Sequence, residues 1–498
     1  MCSSKLKNTL SVLLSVAMCM SLILTPVRVL ADAEAVSSET QSSETPVSKE
    51  TKESESVPSE EKETTAETSE TDSSRETGVS EPADSSETVS KETDETTEPE
   101  EKVPAESEKN GDTPKESNKP TDNEGKVPSQ STKSAKKNAS SGYCGDNLTW
   151  RVSGTTLYIS GSGDMWNYLP AAPLADNNPA PWKDYRNSIS SVVLSGNITS
   201  IGDAAFEMCF SLTNISIPNS VKSIGEGAFD LCEKLVNINI PNSVTSIGSD
   251  AFCGCESLRN ITIPNGVTSI NDSTFFGCEN LKSITLPYGI KSIGSCAFAN
   301  CYELTSIELP NSVTFIGDEA FSGCVSLSSF IIPNSVTSIG VLTFFGCYSL
   351  KNITISNRVT KIGKRTFWGC ENLTSVIIPN SVTSIGEAAF YDCSKLTSVS
   401  GGAKVKTIAE SAFSECLNLK KFKISSKSLK KIGAYAFYGD KKLKTIYINK
   451  TTKLTKKGVK KSLKSSSVKT VKVKKSKVKK YKKYFTKKNC GRKVKVKK

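Results

Sequence analysis

Apolar residues return every 23 positions through the middle of this chain, from about residue 198 to 449. One unit starts at Leu281 and reads LKSITLPYGIKSIGSCAFANCYE, and the next starts at Leu304 and reads LTSIELPNSVTFIGDEAFSGCVS. Leu212, Leu235, Leu258, Leu281 and Leu304 form one apolar column, and Ile215, Ile238, Ile261 and Ile284 a second. Ile201, Ile224, Ile247 and Ile270 form a third, and Phe206, Phe229, Phe252, Phe275 and Phe298 a fourth. So strict a period predicts a mainly β repeat solenoid, whose coils bury apolar side chains only against their neighbours.

Within each unit the Leu-x-x-Ile-x-Leu-Pro segment alternates apolar and polar, which predicts a short strand with one face inward. Pro218, Pro241, Pro264, Pro287, Pro310, Pro333 and Pro379 should end those strands, because proline cannot donate to a ladder. Gly202, Gly225, Gly248, Gly294, Gly317 and Gly340 follow the inward Ile, and the pattern predicts a positive φ at that column. Asn271 is its early exception. Ala409 breaks the column and the unit around Gly401 and Gly402 lacks the proline, so irregular structure is expected there. Stacking at roughly 4.8 Å per coil would make about eleven coils a rod about 50 Å long.

Ten cysteines, from Cys209 to Cys416, repeat with the same 23-residue spacing. An inward column lets them act as small hydrophobes, and the spacing favours buried free thiols over a bonded ladder of strained geometry. Cys144, Cys253, Cys296 and Cys490 lie outside the column and are the better disulfide candidates.

The unit, Leu-x-x-Ile-x-Leu-Pro…Ile-Gly…Ala-Phe-x-x-Cys, closely resembles the BspA-like class of bacterial leucine-rich repeats. The resemblance covers about residues 198–449 and implies a leucine-rich-repeat array with no catalysis and a role in adhesion. Residues 141–197, with Trp150, Trp166 and Trp182, look like the aromatic N-terminal cap of such proteins. The three indoles are read as cap packing, with a ligand cage as the alternative. Residues 450–498 resemble the lysine-rich C-terminal segments of similar proteins and are read as a basic cap.

Charge divides the chain further. Lys5 and Lys7 precede an apolar run from Leu10 to Leu24 and small residues near Ala31, which reads as a secretory signal over 1–31. An uncleaved anchor is the alternative, and no later stretch is long enough to span a bilayer. Residues 32–140 hold 29 acidic and 13 basic residues, net −16, with almost no aromatics, and read as a disordered stalk. Residues 450–498 hold 23 basic and no acidic residues. That tail could hold an anionic cell-wall polymer or membrane surface. Export makes nucleic acid a poor partner, and the expected location is secreted or cell-surface.

The chain contains no histidine, which removes the commonest general base and the usual nucleophile triads. Acidic residues such as Glu226, Asp230, Glu233, Glu256 and Glu279 fall at turn positions and read as solvated surface. Neither a metal site nor a cofactor is expected. What remains is binding. The outward strand positions are small and polar, running through Glu308 and Thr354, with Ile331 and Ile377 as apolar exceptions and first candidates for contact with a protein ligand. Phe345, Trp368 and Tyr391, with Phe276 and Tyr438 further along, suggest an aromatic flank, either filler or a platform for a glycan.

Overall fold

The computed structural model describes residues 140–170 and 180–498. The signal reading and all of the acidic stalk but Ser140 lie outside the described residues. The described part is a mainly β solenoid of about 13 turns with little helix.

Most coils carry two strand segments, so two parallel ladders run along the stack, the wider one interrupted at Ser306–Glu308. The wider ladder holds the outward column: Ser283–Thr285 lies on Asn260–Thr262, and Ser329–Ile331 on Asn352–Thr354. Farther on, Ser375–Ile378, Ser398–Gly401 and Lys421–Ile424 pair in register. The narrower ladder is built of two-residue segments ending in the inward Ile, as in Ser292–Ile293 against Phe315–Ile316. At the N-terminal end, strands β1 (Ser141–Gly145), β2 (Leu148–Ser153) and β3 (Thr156–Asp164) are antiparallel neighbours. Strand β4 (Ser191–Ile201) lies parallel on β3 and is long enough to start both ladders.

The predicted phenylalanine column is a continuous stack. Phe206 to Phe298 lie face to face with ring centroids 5.4–5.6 Å apart, and the stack continues to Phe437. Trp182 extends it at the N-terminal end, 5.8 Å from Phe206, and donates its indole N–H to the Ala205 carbonyl at 2.8 Å. Trp150 and Tyr168 pack edge-on against Trp182. Trp150 and Trp182 are thus buried, but Trp166 is not: its ring is 44% exposed and donates to Asp146. The sequence reading of three buried indoles is corrected to two.

The glycine column also needs correction. Gly202, Gly225, Gly248, Gly294, Gly317 and Gly340 have ordinary negative φ. Glycine is favoured there because the preceding coil comes close: a Cβ on Gly248 would sit 2.5 Å from the Glu226 amide nitrogen, so Asn271 and Ala409 require the backbone to give way locally. The left-handed residues lie two positions later, at Gly227, Asp250, Ser273, Cys296, Glu319, Leu342 and Arg365. A second left-handed column precedes the cysteines and uses Gly254, Gly277, Asn300, Gly323, Gly346 and Gly369. These two reversals turn each coil back on itself. The first tolerates ordinary side chains, although a left-handed residue costs about 1–2 kcal/mol.

Neither expected irregularity interrupts the array. At Gly401 the strand has the same four residues as both its neighbours, with a φ of 95°, and stays in register with Ile378 and Ile424. Ala409 keeps the hydrogen bond of its column, donating to the Ile385 carbonyl at 2.9 Å.

The ladder cysteines are buried and unpaired. From Cys232 to Cys416 each thiol donates to the carbonyl of a phenylalanine in the preceding coil, as Cys301 does to Phe275 at 3.2 Å and Cys324 to Phe298 at 3.1 Å. The column therefore satisfies a carbonyl as well as filling space. Burial pushes the Cys324 thiol up to about 12, which keeps it protonated and unreactive. The four cysteines outside the column are unpaired too, so none forms the disulfide its position suggested. Native protein should therefore label at few thiols with an alkylating reagent, and unfolded protein at ten or more; full native labelling of Cys232 to Cys416 would contradict the packing.

The lysine-rich segment is folded and continues the array beyond residue 449. Thr470–Val473 pairs in parallel with Thr445–Ile448, and Lys495–Lys497 pairs with Thr470–Val473. Two short helices, Val478–Lys482 and Lys487–Cys490, connect these strands, and Tyr481, Phe485 and Cys490 are buried beneath them.

Candidate functional site

The wider ladder presents one outward column whose members follow each other coil by coil. Thr285, Glu308, Ile331, Thr354, Ile377 and Ser400 occupy it, with Ile331 opposite Thr354 and Ile377 opposite Ser400. Alternation forces this arrangement, since Phe330 and Val376 point inward and are buried. Ile331 is 69% and Ile377 73% exposed, two coils or roughly 10 Å apart at the usual strand spacing. Thr354 stands between them. The sequence-predicted residues Glu308, Ile331, Thr354 and Ile377 therefore share one face.

Glu308 also borders a shallow groove of about 670 Å³ with Thr285, Leu286, Tyr288, Leu309 and Asn311. Tyr288 is 92% exposed and escaped the sequence reading. Its signal is a break in another column: Pro is followed by Asn at 219, 242, 265, 311, 334 and 380, but by Tyr at 288. Counting substitutions in that polar column would have found it. Tyr288, Ile331 and Ile377 thus place exposed large side chains on three of the five coils from Tyr288 to Ile377.

Phe345, Trp368 and Tyr391 lie together on a different flank. Phe345 meets Trp368 edge-on at 5.7 Å, and Trp368 meets Tyr391 at 4.9 Å with the planes tilted 56°. The buried Arg365 guanidinium lies 4.7 Å from the Trp368 ring centroid. All three rings are half-buried rather than exposed, and they pack edge to face instead of offering a flat platform. Phe276 is buried outright, and Tyr438 packs on Tyr435. Of the two readings open for this flank, filler or platform, the packing agrees with filler, although the rings are less exposed than their spacing suggested.

Several turn carboxyls are less solvated than their positions suggested. Glu233, Glu256 and Glu279 succeed each other in adjacent coils and are half-buried. Burial first, and then the like charges of Glu279 and Glu233, push Glu256 up to about 7. Burial likewise pushes Asp230 up to about 8, against a hydrogen bond from Cys253. A column of stacked acids perturbs its own members in this way without any catalytic task. Among the described residues no group of three or more Cys, Asp or Glu is arranged to hold a metal ion. No described helix is long and apolar enough to cross a membrane.

The family model described as the BspA type leucine rich repeat region matches in six copies, including residues 184–302, 245–374 and 360–490. The chain belongs to the BspA-type leucine-rich repeat family. The match reaches into the lysine-rich segment, in keeping with the strands formed there. Among solved structures, this BspA-type chain is similar to a leucine-rich repeat protein from Eubacterium ventriosum, at 27% identity over 60% of this chain and 94% of that one, with a TM-score of 0.41. It is also similar to a leucine rich cell surface protein from Faecalibacterium prausnitzii, at 28% identity over 57% and 94% of the two chains, TM-score 0.33. A leucine-rich repeat protein from Bacteroides ovatus matches at 23% identity over 72% and 100%, TM-score 0.39. No curated protein matches the chain.

Proposed function

We propose that this BspA-type chain is a non-catalytic binding protein, secreted or held at a bacterial surface, that takes an extracellular protein partner on the outward face of its wider ladder. Ile331 and Ile377 carry the reading. They are large, apolar and about 70% exposed in a column that is elsewhere mostly Ser, Thr or Asn, as at Ser216, Asn239, Thr262 and Thr285. A solvated strand column has no use for isoleucine, whereas a protein interface is built around a few such anchors. Tyr288 and the groove beside Glu308 extend the same face. The lack of histidine agrees with binding rather than catalysis. The cell-surface description of the Faecalibacterium protein supports the location.

The test is binding to immobilised host matrix proteins and to intact bacterial cells, with a glycan array beside them. Ile331→Asn with Ile377→Asn should weaken binding to a protein ligand about 30-fold or more, as loss of a hot spot of about 2 kcal/mol implies. Both positions are exposed, so thermal stability should stay unchanged. Ligands confined to the glycan array, lost on Trp368→Ala and indifferent to the isoleucines, would replace this reading with capture by the aromatic flank.

A further inference from the structure

The outward column that carries Ile331 and Ile377 changes character toward the C-terminus. After Ser400 it continues through Lys423, Tyr447, Lys472 and Lys497, each directly opposite the next. The parallel outward column contributes Lys421, opposite Ser398, and Lys495, opposite Thr470. Five ammonium groups and one phenol thus occupy one sheet face across four coils, spanning roughly 14 Å at the usual strand spacing. Lys421, Lys423, Lys495 and Lys497 are exposed, Lys472 is half-exposed and Tyr447 is 37% exposed.

This placement works against the isolated protein. Like charges directly opposite on neighbouring strands are destabilising, and Lys472 faces Lys497 with no acidic residue anywhere after Asp440 to screen them. Lysine on an edge strand has a known structural use, since it blocks sheet-to-sheet pairing. That explains Lys495 and Lys497 on the terminal strand. It does not explain Lys421, Lys423 or Lys472, whose strands have neighbours on both sides. Elsewhere in the array the corresponding positions are Ser, Thr or Asn, apart from Glu308, Ile331 and Ile377, and none is basic.

We infer that this end of the face docks a linear phosphodiester polymer, of the polyol-phosphate kind borne by bacterial envelopes. A ladder of charges at regular rise suits a chain with regularly repeated anions. Arginine grips carboxylate or phosphate bidentately through its planar fork, whereas lysine meets phosphate as a point charge and imposes no planar geometry on the anion. Of the 23 basic residues over 450–498 only Arg492 is arginine, and its Nε donates to the Val468 carbonyl at 2.8 Å. The Tyr447 hydroxyl, set between Lys423 and Lys472, adds a donor for a phosphate oxygen. This site is separate from the Ile331 and Ile377 surface and stands or falls without it.

Two variants of the full chain test it, each removing five positive charges. One changes Lys421, Lys423, Lys472, Lys495 and Lys497 to Gln; the other changes the helix lysines Lys479, Lys480, Lys482, Lys487 and Lys488 to Gln. The probes are poly(glycerol phosphate), poly-glutamate and free glycerol phosphate, titrated over a salt series. The face variant should bind poly(glycerol phosphate) at least tenfold more weakly, with a shallower salt dependence, and the helix variant should lose less than threefold. Poly-glutamate and the monomer should bind the unaltered chain at least tenfold more weakly. Equal losses in the two variants would mean diffuse charge and overturn the site. Equal affinity for poly-glutamate would overturn the phosphate assignment and turn attention to the acidic segment over 32–140. Absence of polymer binding would overturn both. Circular dichroism must show both variants folded; if the fivefold face variant is not, Lys423→Gln with Lys472→Gln should still cost about threefold.

Discussion

Phe298→Ala should destabilise the array by about 3–5 kcal/mol and divide its unfolding into two transitions. Phe298 is fully buried near the middle of the ring stack, 5.5 Å from Phe275 and 5.4 Å from Phe321. Removing it leaves a cavity that neither neighbour can fill without leaving its own place in the stack. Its carbonyl also accepts the Cys324 thiol, so a shift of the backbone there would free a buried acceptor. A solenoid is held together by nearest-neighbour terms, and one weak interface lets the two sides melt separately. Phe345→Ala, on the half-buried flank, is the control and should lose clearly less. Denaturant unfolding with hydrogen exchange on each side of residue 298 reads both effects. Equal losses for the two substitutions, in a single transition, would contradict the stack as the main cohesive element.

The second large effect is expected at Asp440. The unit lengthens to 24 residues between Phe413 and Phe437, and the position after Cys416 in the thiol column falls on Asp440. A carboxyl therefore stands where nine coils in succession place a bonded thiol. It is fully buried, and neither carboxyl oxygen makes a hydrogen bond of normal geometry, the Cys416 amide being its nearest donor. Burial holds its pKa well above the usual carboxylate range; the Cys416 amide lowers it only in part, and Glu415 raises it further. Because the folded pKa lies above the unfolded one, the fold binds this proton more tightly. Stability should be full below about pH 4 and fall as pH rises from there through the folded pKa. Asp440→Cys restores the column and removes the buried charge. It should raise stability by about 1–3 kcal/mol at pH 8 and by much less at pH 4. Unfolding midpoints at the two pH values decide the matter. A gain independent of pH would show that Asp440 is neutral throughout and that only packing changed.

How much of this was legible in the sequence follows from what the period encodes. Columns of Leu, Ile, Phe and Cys report which side chains meet, because stacking aligns identical positions, and the fold follows from them directly. The glycine column was misread because sequence cannot separate a glycine required by φ from one required by close approach. Gly248 is the second kind, and the left-handed Asp250 beside it carries no sign of its conformation. Ile331 and Ile377 were visible as breaks in a polar column, and so was Tyr288 had that column been counted. The aromatic flank stayed open between filler and platform because spacing gives adjacency but not exposure: Phe345, Trp368 and Tyr391 do meet, yet cover one another. The lysine face was hidden in a net charge. Only the register of Thr470–Val473 and Lys495–Lys497 shows which of the many lysines fall in line.

Because each coil repeats the same hydrogen bonds to the one before it, the array behaves as a graduated ruler. Gaining or losing one 23-residue unit between Ser398 and Lys421 would slide the lysine end relative to Ile377 by roughly 4.8 Å while leaving both surfaces internally intact. The separation between the proposed protein-contacting patch and the proposed anchoring patch can thus change in fixed steps, without redesign of either. Lineages carrying this architecture can match their reach to a partner by copying whole units, and the strict spacing of Phe and Cys is the register that makes such copying harmless.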